Sequence, residues 1–421
     1  MNRKGYKHTS LGWIPDDWEV KKIRDIAKIS SGTTPLRSVL DYFLHGEIHW
    51  VKTTDLNNSI ILETEEKVTE RALAETSLRI YPKGTLLVAM YGGFNQIGRT
   101  GLLGIEAAIN QALSAITVDP QKTDRVFLLN WLNAKVGLWK SFAGSSRKDP
   151  NITSSDVADF PIIEMALAEQ QRISVILSTL DTAIAKEQQL IDALQIRHRA
   201  LMQQLFSKRK RLKGFKGQWT ETKLGSLGES YNGLTGKSKE HFGYGKPFVT
   251  YLNVFTNSKM DPNQIGYVEI NEDESQNTIQ YGDFLFTVSS ETPEEVGMTS
   301  VVLDKVSNVY LNSFCFGFRL KDFQTLLPEF GRYYFRNNET RKGIVLLAQG
   351  STRFNISKDG IRNLILKLPP VPEQTAIASV LNASEKEIQL HRRRLATLQQ
   401  QKKGLMQVLL TGKVRVNPKE E

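Results

Sequence analysis

The stretch EQQRISVIL, Glu169–Leu177, is written a second time as EQTAIASVL, Glu373–Leu381. The copy continues without a gap. ALMQQLF, Ala200–Phe206, returns as GLMQVLL, Gly404–Leu410, at the same offset of 204 residues. About eleven positions of this stretch are identical, among them Leu201, Met202 and Gln203 with Leu405, Met406 and Gln407. In each copy a residue suited to a packed seam recurs in alternating steps of four and three. The first series is Ile173, Leu177, Leu180, Ile184, Glu187, Ile191, Leu194, His198, Leu201 and Leu205. The second is Ile377, Leu381, Ser384, Ile388, His391, Leu395, Leu398, Lys402, Leu405 and Leu409. Sustained over five heptads, this is the spacing of a helix that packs along its length against another. Pro369, Pro370 and Pro372 mark where the second helix starts, because proline is accepted only in a first turn.

A helix from Ala168 to Phe206 spans roughly 58 Å at about 1.5 Å per residue. It is too long to nest inside a neighbouring domain, so it is expected to stand out as a spacer, and its natural partner is its own copy. Because the chain turns into new sequence after each helix, the pair is expected to run antiparallel about a pseudo-twofold axis. Glu187 and His391 hold equivalent polar slots. Their expected use is to face each other and fix the register. Plain packing helices of a two-domain protein are the simpler alternative.

Outward from the helices the duplication persists. Trp18 is followed by Ile23 and Ile26, and Trp219 by Leu224 and Leu227 at the same spacing. SSGTTP around Gly32 answers to YNGLTG around Gly233, and HWVKTTDL around Trp50 to PFVTYLNV around Phe248. YPKGTLLVAM aligns with IQYGDFLFTV, pairing Gly84 with Gly282, and PNIT, Pro150–Thr153, with FNIS, Phe354–Ser357. The runs TLLVAMY, LSAITV, DFLFTV and FCFGFRL, bounded by turn residues, predict strands. FLLNWLNAKVGLWKSF after Val126 and FGRYYFRN after Glu329 predict short helices. The chain is thus α+β: two globular parts over residues 1–165 and 213–367, each followed by a long helix, over 166–212 and 368–421 with its tail.

The 421 residues suffice for two cores. Basic residues exceed acidic ones, 55 to 45, a net charge of +10 that suits a polyanionic partner. A single cysteine, Cys315, excludes an internal disulfide and a four-thiolate zinc site, and the six histidines show no ligand spacing. No apolar leader or membrane-length apolar run is present, so a cytoplasmic location is expected. An enzyme reading finds no footing. DPNI at Asp149 and DPNQ at Asp261 lack the second proline and the aromatic residue of an adenine methyltransferase motif. Glu19-Val-Lys21 and Glu65-Glu66-Lys67 do not build a nuclease site, and no GxxxxGK[ST] loop occurs.

These residues are recognisable together. GTTP, HWVKTTDL, YPKGTLLVAMYGG, GIEAAINQA, PNIT followed by DFPI, then AEQQRI opening a long helix, and in the second copy LPPVPEQ, resemble the specificity subunits of type I restriction–modification systems. The resemblance covers essentially the whole chain. It implies two pseudo-twofold-related target-recognition domains separated by two long antiparallel coiled-coil helices, each domain reading one half of a bipartite, asymmetric DNA sequence. It further implies that the chain binds no cofactor and is not itself an enzyme. Two methyltransferase subunits, using S-adenosylmethionine to methylate adenine, dock on the helices. Two restriction subunits, using ATP and Mg2+, join through them. The second copy departs from the pattern: YNGLTG lacks the proline of GTTP, and TVSSE stands where AMYGG does. A helix of this length is compatible with half-sites about 34–36 Å apart.

Polar side chains read base edges, while Lys, Arg and backbone amides hold phosphates. In the first part the candidates are Thr33, Thr34 and Arg37; Lys52 and Thr53; Tyr91, Gly92, Gly93, Asn95 and Arg99; and Ser145, Ser146, Arg147 and Lys148. In the second they are Thr235, Lys237 and Lys239; Tyr251 and Asn253; Ser289, Ser290 and Thr292; and Ser351, Thr352 and Arg353. Each has a plainer alternative as a water-exposed turn residue. The runs Lys208–Lys213 and Arg392–Arg394 read as solvated charge, the first favourable against a helix C-terminal dipole. A coiled-coil scaffold without DNA binding is the competing function.

Overall fold

The computed structural model describes residues 4–143 and 151–416. Its two long helices span Leu167–Phe206 and Val371–Leu409, within a residue of the range the heptads predict for the first. Pro372 falls in the first turn of the second, as expected. The chain divides into two compact units, one of Met1–Gln188 with Arg393–Glu421 and the other of Gln189–Arg392. Each unit therefore holds one globular part, the opening half of one long helix and the closing half of the other.

Within each unit the two helix halves run antiparallel. In the first, Lys402 Nζ lies 2.5 Å from Asp181 and Arg394 Nε 3.6 Å from Glu187. In the second, Arg197 pairs with Glu387, and His198 Nδ1 is 3.2 Å from Ser384 Oγ. Every heptad slot of both series is buried or half-buried, so the seam read from the sequence is the packed face. The polar slots find polar partners: His198 meets Ser384, Lys402 meets Asp181, and buried Glu187 meets Arg394.

The first globular part is built on a five-stranded sheet in the order Ala27–Ser31, Leu113–Val118, Leu86–Ala89, Thr100–Leu103, Ile60–Ile61. A four-stranded sheet in the order Glu66–Val68, Ile48–Val51, Ala107–Ile109, Ile80–Tyr81 lies beside it in the chain. The second part repeats the plan with fewer strands. Gly228–Asn232, Cys315–Leu320, Phe284–Thr287 and Thr299–Val301 form one sheet; Ile265–Val268, Phe242–Val249 and Tyr310–Leu311 form the other. In both, the segment after the first edge strand returns as a parallel pair, Ala108 opposite Trp50 and Tyr310 opposite Phe248. LSAITV is a strand to the residue, and FLLNWLNAKVGLWKSF is two helices, Arg125–Ala134 and Val136–Phe142. Cys315 is buried and unpaired, and burial pushes its thiol well above the ordinary value.

Each unit has one large core that includes the foot of its helix pair. The first gathers Trp18, Trp131, Trp139 and Phe160 with Ile173, Leu177, Leu409 and Leu410. The second gathers Phe284, Phe286, Phe316, Phe318 and Phe330 with Leu205, Phe206, Ile377 and Leu381. Two glutamines fix the helix starts identically. The Gln170 amide donates to the Met165 and Lys122 carbonyls and accepts from the Asp124 N–H. The Gln374 amide does the same with Pro369, Thr325 and Leu327. Such full satisfaction is what a buried amide requires.

The glutamate before each glutamine receives an arginine from beyond the end of the other helix. Arg415 donates to both oxygens of buried Glu169 at 2.8 and 2.9 Å and also reaches Asp17. Arg211 donates to both oxygens of Glu373 at 3.0 and 2.5 Å. This corrects one residue of the Lys208–Lys213 run: Arg211 is committed to a buried carboxylate rather than to water. The two clamps differ in one donor. Trp18 Nε1 donates to Glu169 at 3.2 Å. Its counterpart Trp219 has, among the described residues, no acceptor for its buried Nε1 and lies instead under the Lys208 ammonium, 4.9 Å from the ring centroid.

Candidate nucleic-acid interface

In the first unit, three of the sequence-selected segments meet at one end of the five-stranded sheet. The strand Ala27–Ser31 runs into Gly32, where an added Cβ would sit 2.3 Å from the Ile109 and Asn110 carbonyls, so only glycine fits. Trp50 Nε1 donates to the Thr33 carbonyl, and the Thr33 hydroxyl meets Ser77. Beside this edge the strand Leu86–Ala89 ends at Met90, whose N–H donates to Ala112 and whose carbonyl accepts from Ile152. Ile152 belongs to the repeated Asn-Ile, and Ser154 just after it bonds Ser31 at 2.9 Å between hydroxyls. The loop from Tyr91 to Arg99 departs from this junction. Tyr91, Gly92 and Asn95 are exposed, Gly92 and Gly93 adopt positive φ, and Arg99 is tied to Gln96. Phe94, which sequence reasoning passed over, is more than half exposed in the same loop. Ser145, Ser146, Arg147 and Lys148 lie outside the described residues.

The second unit reproduces the junction with different side chains. Gly233 takes the place of Gly32, an added Cβ falling 2.1 Å from the Asn312 carbonyl. Ile356 N–H donates to the Val288 carbonyl and Val288 N–H to Phe314, as Ile152 and Met90 do in the first unit. Where Ser31 meets Ser154, the second unit pairs Asn232 with Lys358. Sequence reasoning did not select Asn232 or Lys358. The signal was present in the repeat, one residue beyond the aligned FNIS. Ser289 and Ser290 pair with Asn355 and Phe354 as a short ladder, and Gln349 bridges Asn355, so Ser351, Thr352 and Arg353 form an exposed tip between them. The Tyr251 hydroxyl donates to the Ser289 carbonyl at 2.7 Å. Burial raises its pKa, and the nearby Arg353 charge opposes that.

Several selected residues have other commitments. Arg37 lies over the Phe43 and Trp50 rings and pairs with Glu66. Lys52 pairs with Glu65 and Glu66, its side chain only 17% exposed. The Arg37 guanidinium and then Lys52 hold the Glu66 carboxyl below the usual carboxylate range. Lys237 is buried against Glu274. Asn253 is fully buried, its amide donating to the Asp261 and Gln264 carbonyls. Lys52, Lys237 and Asn253 thus hold their own loops together. Ser289 and Ser290 are buried as well, and Ser290 bonds Glu295. Thr34, Thr53, Thr235, Lys239 and Thr292 lie at the surface or half-buried, Thr235 tied to Gln276. Among the described residues no group of His, Cys, Asp and Glu is disposed to hold a metal ion, and no helix is long and apolar enough to cross a membrane.

One frame used twice, with its glycines and carbonyl anchors repeated and its polar loops changed, defines a duplicated recognition protein. Residues 15–195 and 216–400 each match the family described as type I restriction modification DNA specificity domain, and the chain belongs to that family. It is 31% identical over 194 residues to the type I restriction enzyme MjaIX specificity subunit of Methanocaldococcus jannaschii; that match spans 45% of this chain and 44% of the relative. A putative type I restriction enzyme MjaX specificity subunit of the same organism is 23% identical over 98% of this chain and 97% of its own length. The crystal structure of a type I restriction-modification S subunit from M. genitalium shares the fold with a TM-score of 0.57 at 14% identity, covering 93% of this chain and 96% of that one.

Proposed function

We propose that this chain supplies the DNA sequence specificity of a type I restriction–modification complex, each globular part reading one half of a bipartite, asymmetric target. The observation that carries the reading is the pair of equivalent junctions. Ser31–Ser154 and the Tyr91–Arg99 loop stand in one unit, and Asn232–Lys358 with the Ser351–Arg353 tip in the other. Equal frames with unequal polar tips are what two different half-sites demand, since base edges are told apart by the donors and acceptors offered to them. In this reading the chain performs no chemistry. Adenine methylation with S-adenosylmethionine belongs to two methyltransferase subunits docked on the long helices. ATP- and Mg2+-dependent cleavage belongs to two restriction subunits held through them.

The test is to co-express the chain with its cognate methyltransferase subunit and map methylated adenines across the host genome. A split motif that appears only when this chain is present is the expected result. Stable co-purification with no new methylation supports a scaffold instead, and absence of both overturns the reading.

A further inference from the structure

The first unit contains a cleft of about 720 Å³ that the recognition loops do not account for. It opens between the junction of the helices Arg125–Ala134 and Val136–Phe142 and the closing turns of the second long helix. Four lysines line it: Lys135, Lys402, Lys403 and Lys413. Asp181 answers Lys402 at 2.5 Å. Among the described residues no carboxylate lies within ion-pair distance of the other three. Lys403 and Lys413 are exposed, while Lys135 is half-buried, its ammonium 4.9 Å from the centroid of the Trp131 ring. Burial also draws the Lys135 pKa down, the mark of a cation short of a counter-charge.

The rest of the lining includes Asn58, Asn133, Gln399, Gln407 and Thr411. Lysines interspersed with amides and hydroxyls are the side chains that hold a nucleic-acid backbone, where contacts are made to phosphate and sugar without regard to sequence. The cleft is also continuous with the recognition loop. Thr100 immediately follows Arg99; its N–H donates to Asn58 Oδ1, its hydroxyl meets Asn133 Oδ1 at 2.6 Å, and Asn133 Nδ2 donates to the Asn58 carbonyl. Two lining residues are thus fastened to the exit of the Tyr91–Arg99 loop.

We propose that this lysine cleft binds the phosphate backbone of duplex DNA next to the half-site read by the first unit. The proposal rests on the DNA-reading function above and assigns it a sequence-independent anchor.

The test uses the full chain in complex with its methyltransferase partner and a random-sequence duplex. The association constant is followed against KCl concentration for the parent, for Lys135→Gln/Lys403→Gln/Lys413→Gln, and for Lys403→Gln/Lys413→Gln, which leaves the half-buried position intact. A matched control carries Lys28→Gln, Lys83→Gln and Lys122→Gln, all three exposed. Each lost phosphate contact flattens the log–log slope by about 0.9. The triple variant is therefore expected to flatten it by about 2–3, the double variant by about 2, and the control by much less. Unchanged slopes in the cleft variants, or an equal loss in the control, overturn the cleft. An unchanged slope with loss of methyltransferase binding identifies an acidic protein partner instead and also overturns it. A parent complex whose DNA binding ignores salt sinks the DNA reading as well, an outcome separate from the others.

Discussion

At the scale of single residues, the two arginine clamps carry more of the fold than their exposure suggests. Glu169 has a side chain only 4% exposed, and its oxygens are filled by Arg415 and Trp18 Nε1. Removing one partner of a buried ion pair leaves the other charge without compensation, which costs far more than a surface pair is worth. Arg415→Ala is expected to destabilise the chain by on the order of 3 kcal/mol, read as a lower urea midpoint with an unchanged slope. The tryptophans provide a finer test. Trp18→Phe removes a hydrogen bond to a charged oxygen, a loss of about 1.5–3 kcal/mol. Trp219→Phe removes an N–H that has no acceptor among the described residues and is expected to be near neutral in the same unfolding assay. The clamps were not legible in the sequence. Arg211 sits in a run that reads as solvated charge, and its partner Glu373 lies 162 residues away. Only the continued offset of 204 linking Arg211 to Arg415 hinted that the position was special. The partners of Asn253 and Lys52 were hidden for a related reason: a polar side chain that satisfies buried carbonyls or nearby acids looks the same in sequence as one that faces outward.

At the scale of elements, the long helices were almost fully legible, because heptad periodicity is a local property and proline marks the second start. Their polar slots were legible as positions, and within the first unit the Glu187 carboxylate meets Arg394. In the second unit His198 bonds Ser384 and lies against the Tyr333 ring, with Glu385 and Arg332 as its charged neighbours. Desolvation lowers its pKa first, Arg332 adds to this, and Glu385 opposes it. A histidine with a depressed pKa in the folded state protonates first in the unfolded chain. Stability from this site is therefore present above about pH 6.5 and is lost as pH falls below it, levelling off under the folded-state pKa. Urea unfolding between pH 8 and 5 is expected to show a loss that is smaller in His198→Gln; parallel curves for parent and variant would remove His198 as its source. The strands were legible where apolar runs were long, LSAITV above all. Sheet order was not, because the pairing of Leu113–Val118 with both Leu86–Ala89 and Ala27–Ser31 is non-local.

At the scale of the whole molecule, duplication explains which features repeat and which diverge. The parts that hold the frame recur to the atom: Gly32 and Gly233 against carbonyls, Gln170 and Gln374 at helix starts, Ile152 and Ile356 on the carbonyl that ends a central strand. The parts that face outward differ, and these are where a sequence reader must differ. The Ser351–Arg353 tip is anchored by ladder bonds from Ser289, Ser290 and Gln349, all within the second unit. Arg353→Ala, or exchange of the three tip residues, is therefore expected to alter the half of the methylated motif read by the second unit and leave the other half intact. A single lost base contact is worth about 1–3 kcal/mol of discrimination, enough to relax one or two positions while the motif stays recognisable. Genome-wide mapping of methylated adenines in cells carrying the variant reads this directly. Relaxation confined to one half assigns the tip to base reading. Uniform loss of methylation across all sites assigns it to phosphate holding, because backbone contacts weaken every sequence alike. A change in both halves at once contradicts the assignment of one half-site to each unit.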